Sequence, residues 1–321
     1  MRNSLTVTRR AALAVLAALG TSGAFAQPPV VRMIVPFTAG SGTDIVARIV
    51  GDKLGPAMGT SVIVDNRPGA GGSLGAAIVA KSAPDGATLL IHSAGHVVNP
   101  AIYPKLSYDT LKDFVGITPI ASLPNVLVTR PGHFKDVKDL VAQAKAKPGQ
   151  FNYGSAGNGS ATHMNAEVFR LAAGVNAQHV PYRGTPEAMT ETMGGRIDWF
   201  FAPLVSALPL IRDGKLQALA VGTEKRSSQL PNVPTTVEAG VPGSSYQFWV
   251  GLFAPAKLPR AQVEKLNAEV ARVVALPEIK DRLDKLGAEP FLMSSDAFQA
   301  FLVKETARAT DVVKRAAIKA E

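Results

Sequence analysis

The feature that most constrains this chain is a regular alternation of two periodicities. Short runs rich in Val, Ile, Leu or aromatic residues occur at 30–35, 62–64, 88–91, 115–121, 126–129, 151–153, 177–180, 197–201, 218–221 and 250–254. Runs of this kind suit strands buried on both faces. Helical patterns lie between them. In 136–147, Val137, Leu140, Val141 and Ala144 fall at i, i+3, i+4 and i+7, and the pattern stops at Pro148-Gly149. Segments 185–193 and 204–213 read the same way, the latter ending at Gly214. The alternation predicts an α/β fold with parallel sheets, and the length suits two domains. From Pro259 the chain turns helical, with Val263, Leu266, Val270 and Val273 on one face and Pro277 as a break. Ser294-Ser295-Asp296 reads as an N-cap before a last helix carrying Phe298, Phe301 and Leu302. These helices carry no evident chemistry and are expected to pack back on the first domain.

The first residues read as an export signal. Arg2, Arg9 and Arg10 precede an apolar stretch, 11–19, that is too short to span a bilayer. Ala24-Phe25-Ala26 is a small-x-small cleavage site, which predicts a mature chain starting at Gln27 in the periplasm. Thr8-Arg9-Arg10 leaves both the general and the twin-arginine routes open. There is no cysteine, so disulfides, thiolate catalysis and Cys-type metal sites are excluded. The formal charge is +9. Removing three arginines with the signal leaves 9 − 3 = +6, a modest field favouring anions that serves solubility equally well. No Lys/Arg run interleaved with aromatics points to nucleic acid.

Two segments look like anion cups. Val35-Pro36-Phe37-Thr38-Ala39-Gly40-Ser41-Gly42-Thr43-Asp44 leads from a strand into a helix, and so does Tyr153-Gly154-Ser155-Ala156-Gly157-Asn158-Gly159-Ser160-Ala161-Thr162. A Gly/Ser loop that opens a helix presents unpaired N–H groups and the positive end of the helix dipole, which attract carboxylate or phosphate. Enzyme signatures fall short. Gly154-Ser155-Ala156-Gly157 has Tyr153 where a nucleophile elbow needs glycine. In Gly69-Ala70-Gly71-Gly72-Ser73-Leu74-Gly75, the third glycine of a dinucleotide loop would fall at Leu74. His92 and His96 are four apart in a strand end and loop without an H-E-x-x-H pattern, so no metal site is expected.

These blocks together resemble the solute receptors of tripartite tricarboxylate transporters, the Bug receptors, which are type II periplasmic binding proteins. The first cup with Ala47-Arg48 is similar to the family's first binding loop. Asp65-Asn66-Arg67-Pro68-Gly69-Ala70-Gly71-Gly72 is similar to its Asn-Arg-Pro-Gly loop, and the second cup with His163 to its second-domain loop. Val180-Pro181-Tyr182-Arg183-Gly184 and 235–243 also match, so the resemblance covers the whole mature chain. It implies two doubly wound α/β domains with a ligand cleft between them. One domain would comprise 27–123 and 235–321, the other 124–234, with crossings near 122–124 and 231–234. It further implies a small carboxylate ligand, membrane transporter subunits as partners, a monomer, no cofactor and no catalysis. A sensor or adaptor for a membrane signalling protein, or an enzyme acting on a small acid, are the alternatives.

The expected ligand contacts follow from the cups and the resemblance. Phe37, Thr38, Ala39, Gly40 and Ser41 would form one wall. The family often has glycine where Ser41 stands. Asp44 either caps its own helix, orients the loop or meets a ligand ammonium. Ser155, Gly157, Gly159, Ser160 and Thr162 would form the second cup, with His163 structural. Gly69 and Ala70 either approach the ligand or form a turn. Ser93, His96 and Asn99 lie at a strand's carboxyl end, where clefts in open α/β sheets occur. Tyr182 and Arg183 offer a carboxylate clamp or a loop brace. Asp198 either bonds the ligand or caps amides, and Trp199, Phe200 and Phe201 read as core.

Overall fold

The structure is a computed structural model and describes residues 30–319. The expected signal segment and its cleavage site after Ala26 lie outside these residues.

The first sheet gathers β1 (Val30–Val35), β2 (Ser61–Asn66), β3 (Thr88–Ser93), β4 (Phe114–Ser122), β10 (Trp249–Pro255) and β11 (Glu289–Pro290), in the order β11-β4-β10-β3-β1-β2. The second gathers β5 (Asn125–Thr129), β6 (Asn152–Ser155), β7 (Gln178–Pro181), β8 (Trp199–Pro203) and β9 (Gln217–Val221), in the order β7-β6-β8-β5-β9. The helices are α1 (Gly42–Met58), α2 (Ser73–Ala80), α3 (Gly95–Ile102), α4 (Val137–Ala146), α5 (Ala161–Ala173), α6 (Thr185–Met193), α7 (Leu204–Arg212), α8 (Arg260–Ala275), α9 (Pro277–Lys285) and α10 (Ser295–Ala316). All ten apolar runs became strands. Each was short, β-branched or aromatic, and bounded by turn residues, the combination that separates a buried strand from a helix turn. The cap read from sequence also forms: Ser294 accepts from the Ala297 amide at 3.3 Å, while Asp136 caps α4 by accepting from the Asp139 amide at 2.8 Å. Pro277 starts a new helix instead of continuing the old one, since it cannot donate to the preceding turn.

The sheets are mixed, not purely parallel. β1 pairs parallel with β2 and β3, and β6 with β7 and β8. β10, however, runs antiparallel between β3 and β4, and β5 antiparallel between β8 and β9. The reason lies in the connections. β4 passes into β5 through Leu123 and Pro124 alone, with no helix to reverse direction. A strand that enters a sheet directly from its neighbour starts at the seam, whereas its sheet-mates end there.

The return connection, 222–248, is longer. Thr235 bridges Val221, the Thr236 amide donates to Val221 O at 2.9 Å, and Val241 belongs to the second core. The two crossings then run side by side. The Leu123 amide donates to Phe248 O at 2.8 Å, and the Gly222 amide to Asn125 O at 2.8 Å.

The first core mixes residues from both ends of the chain, Met33 and Leu90 with Val270, Val273 and Phe298. The second sheet has a core on each face, one around Trp199, Phe169 and Tyr153, the other around Phe200, Val126 and Leu208. A fourth cluster joins Val98 and Ile102 of α3 to Met164 of α5 and to Ala309 and Val313 of α10, so it spans the two sheets' layers.

Candidate functional site

The parallel strands of both sheets end at one seam, and helices start there. α1 begins after the β1 loop, α5 after the β6 loop, α6 after β7, and α7 directly after β8. Their first turns enclose a narrow void. Its volume is about 10 Å³, the scale of one water. The lining is rich in hydroxyls: Ser41, Thr43, Ser93, Ser160, Thr162 and Thr185. Phe37 and Phe248 supply apolar wall, and no charged side chain reaches the void. Each helix N-terminus carries roughly half a positive charge and unpaired amides. Several such ends around one void make a neutral cup with a positive field.

The first loop is held from behind. The Asp44 carboxylate is buried, at 2 % exposure. It accepts from the Gly40 amide at 2.9 Å, from Arg48 Nε at 3.0 Å and from Asn66 Nδ2 at 2.9 Å. Asn66 also donates to Phe37 O at 3.0 Å. Burial pushes the Asp44 carboxyl up, but the Arg48, Gly40 and Asn66 bonds outweigh it and hold the group below its usual 3.8. Asp44 therefore orients the loop. Its two oxygens are taken, and Ser41, not Asp44, occupies the N-cap position. Ser41 caps no amide of its own helix; its Oγ accepts from the Thr185 amide on the other side of the seam at 3.3 Å.

The second loop is braced differently. Ser160 caps α5 by accepting from the His163 amide at 3.3 Å, and Thr162 Oγ1 accepts from the Ala156 amide at 2.9 Å. The Ser155 hydroxyl turns away from the void to His179 Nε2 at 2.6 Å and accepts from the Gly157 amide at 3.0 Å. His163 and His179 stack with ring centroids 3.8 Å apart. Burial holds His163 down to about 3 and His179 down to about 2, so both rings are neutral at physiological pH. His163 Nδ1 can then accept from the Gly159 amide at 3.1 Å.

Most predicted residues meet at the seam, in two chambers. Phe37, Ser41, Ser93, Ser160 and Thr162 line the inner void. Gly69, Ala70, Gly157, Tyr182 and Arg183 line an outer chamber of about 420 Å³. Ala156 lines both. Thr38, Ala39 and Gly40 sit at the rim: Thr38 Oγ1 donates to Glu187 Oε2 at 3.0 Å, and Gly40 O accepts from Ser206 Oγ at 3.1 Å.

Two predicted residues lie elsewhere. His96 is fully buried in the first core, with its ring 4.7 Å from those of Phe114 and Phe253, because it opens α3 on the side facing the sheet. Asp198 precedes β8, at the end away from the seam, and about five residues of extended strand, some 16 Å, separate it from the cleft. It accepts from the Asn152 amide at 2.7 Å and pairs with His133 Nε2 at 2.8 Å. Sequence reading missed Thr185, Pro203 and Phe248, which line the void. For the first two, the position of a helix start after a strand was the available signal. Phe248 had none, because it arrives from a distant crossing.

The seam is closed by backbone contacts that only glycine permits. A Cβ on Gly71 would lie 1.9 Å from Asn158 O, and one on Gly95 would lie 2.9 Å from Gly159 O. Tyr103 Oη donates across the seam to Asn158 O at 3.0 Å.

A two-lobed molecule with a polar, cation-free cup between its lobes belongs to the class of solute-binding proteins. The chain belongs, specifically, to the tripartite tricarboxylate transporter receptor family, whose pattern matches residues 46–318. Three solved structures share the fold over most of their length. The periplasmic binding protein BugD is 32% identical, with 90% of this chain and 98% of that one aligned at a TM-score of 0.85. MatC from Rhodopseudomonas palustris, with bound malate, is 33% identical over 88% and 98% at 0.84. An R. palustris protein with adipate is 36% identical over 90% and 97% at 0.86.

The bracing of the first loop predicts a pH-linked effect. A carboxyl with a depressed folded-state pKa contributes stability above its unfolded pKa and loses it as pH falls through the folded one. Asp44→Asn should therefore lower unfolding free energy by about 1–3 kcal/mol at neutral pH. The gap to the parent protein should narrow as pH falls below the ordinary aspartate range, about 4. Urea midpoints across that range measure both, and a gap constant with pH would rule out a charged Asp44 as the brace.

Proposed function

We propose that this protein is an exported receptor that captures a small organic carboxylate between its lobes and delivers it to the membrane subunits of a tripartite tricarboxylate-type transporter. It acts as a monomer in the periplasm, after cleavage behind Ala26, without cofactor or catalysis. The lobes correspond to 27–123 with 242–321, and to 124–241, a shift from the boundary at 234–235 expected from the sequence. Because 235–241 pack on the second sheet, we draw the working hinge at Leu123–Pro124 and at 242–248, not at the proline cluster 231–234.

One observation carries the reading: the first turns of helices from both lobes face a single buried void, and Thr185 Oγ1 lies there buried without a hydrogen-bond partner. A buried hydroxyl without a partner costs free energy, and a ligand oxygen would supply the partner. The malate and adipate bound by the two R. palustris proteins are acids of the size such a cup suits once the lobes part. The inner void is too small in the closed form to admit one, so capture requires hinge opening and release requires it again. In the closed form the lobes are joined by Thr38–Glu187, Ser206–Gly40 and Thr185–Ser41.

Two measurements test this. Protein stripped of metabolite by unfolding and refolding should gain about 2.7 kcal/mol in the presence of its acid at a hundred times the dissociation constant, seen as a rise in melting temperature. Thr185→Val should leave the unliganded protein at least as stable, because it removes an unpartnered hydroxyl, and should shrink the rise. An unchanged rise would remove Thr185 from the site. Gly184→Ala isolates closure. At φ −172° alanine fits the backbone, yet its Cβ would lie 1.9 Å from Thr38 Oγ1 and 2.7 Å from Ser41 Oγ, both across the seam. The variant should keep its fold, expand in solution scattering, and bind the acid roughly ten- to a hundredfold more weakly. Parental affinity would mean that binding does not need this closure.

A further inference from the structure

A buried carboxylate stands behind the second cup. Glu167 lies one turn after His163 on α5 and is 3 % exposed. Its Oε2 accepts from Arg170 Nη2 at 2.7 Å, and Arg170 Nε reaches Oε1 and Oε2 at 3.0 and 3.1 Å. Tyr153 Oη donates to Oε1. His163 Nε2 stands 4.0 Å from the same Oε1. On the opposite edge of that ring, Nδ1 faces the Gly159 amide at 3.1 Å.

A backbone amide can only donate, so His163 Nδ1 must accept. The single proton of the neutral ring therefore sits on Nε2, the nitrogen that faces Glu167. The other tautomer would set donor against donor at Gly159. The ring has little room to turn away, because it stacks on His179 with the planes 6° apart. Gly159 itself is a left-handed turn at φ +77°, and the next residue, Ser160, caps α5 and lines the inner void. The shape of the loop at the void thus depends on where one proton sits. A gap of 4.0 Å is longer than a direct hydrogen bond, so Glu167 acts on the ring by its charge. Both groups are buried, where water screens that charge least.

We propose that Glu167 is the positioning residue of the second cup: its carboxylate holds His163 in the Nε2–H tautomer, and that tautomer holds the Gly159 amide and the loop in front of it. The proposal rests on the receptor reading above and adds the group that sets the cup's shape. Glu167 lies outside the lining of both chambers and works only through His163. Arg170 and Tyr153 fix the carboxylate in turn, which leaves Oε1 on the side of the ring.

Glu167→Gln tests this without changing the size of the side chain. Arg170 can only donate, so the amide oxygen must take the place of Oε2, which turns the NH2 group toward Tyr153 and His163 Nε2. Donor then meets donor, and the ring should pass to the Nδ1–H tautomer. Nitrogen-15 spectra of histidine-labelled protein, stripped of metabolite and refolded, distinguish the two forms. The parent should show Nε2–H at His163 and the variant Nδ1–H, and hydrogen exchange at the Gly159 amide should quicken by roughly tenfold or more. Affinity for malate and for adipate, by calorimetry, should fall roughly three- to tenfold, the worth of one hydrogen bond in the loop. Glu167→Asp disturbs the packing but keeps the charge, and should retain the parent tautomer and most of the affinity. Nδ1–H at His163 in the parent, or an unchanged tautomer in Glu167→Gln, would overturn the proposal whatever the affinity does. Failure of the parent protein to bind either acid would instead count against the receptor reading, since the ring spectrum is read without ligand.

Discussion

The structure depends on one arrangement: helix N-termini from two sheets pointed at one void. Nothing in that void is charged, yet several helix starts supply partial positive charge and unpaired amides. The arrangement is a consequence of strand direction. Parallel strands deliver their carboxyl ends to one edge, and most of them hand over to a helix there. Two of the antiparallel strands, β5 and β10, are where the chain changes sheet, so the same topology that makes the cup also sets both crossings beside it.

Because the cup is neutral, its precision comes from bracing, not from charge. Asp44, Asn66 and Arg48 fix the first loop from the first lobe. His163, His179 and Ser155 fix the second from behind. These groups spend their hydrogen bonds on the loops, which leaves the Thr185 hydroxyl for a guest. Closure adds a second requirement. Backbones meet at Gly71 and Gly95, and Gly184 meets the Thr38 and Ser41 side chains, so the lobes interlock through positions where an added side chain would hold them apart.

Much of this was legible in the sequence, for physical reasons. Strands announced themselves by short apolar runs, and the cups by Gly/Ser loops between a strand and a helix, both local signals. The resemblance to the Bug receptors rested on those same loops, and the family match confirms it. What failed was depth and direction. His96 lies three residues beyond Ser93, which lines the void, yet its ring faces the first core. Asp198 precedes a strand that ends at the cleft, so it lies at the far end from the site. The antiparallel strands were invisible because direction is set by which sheet a strand joins, and Phe248 because its place depends on a crossing more than a hundred residues from its neighbour Leu123.

The most direct test of the account is a crystal structure of the protein grown with the acid that most raises its melting temperature. The account predicts one carboxylate in the inner void, with oxygens within hydrogen-bond reach of the first-turn amides of α1 and of the Thr185 hydroxyl, and with no Lys or Arg against that carboxylate. A ligand outside the seam, or one whose buried carboxylate is held by a cationic side chain, would contradict it.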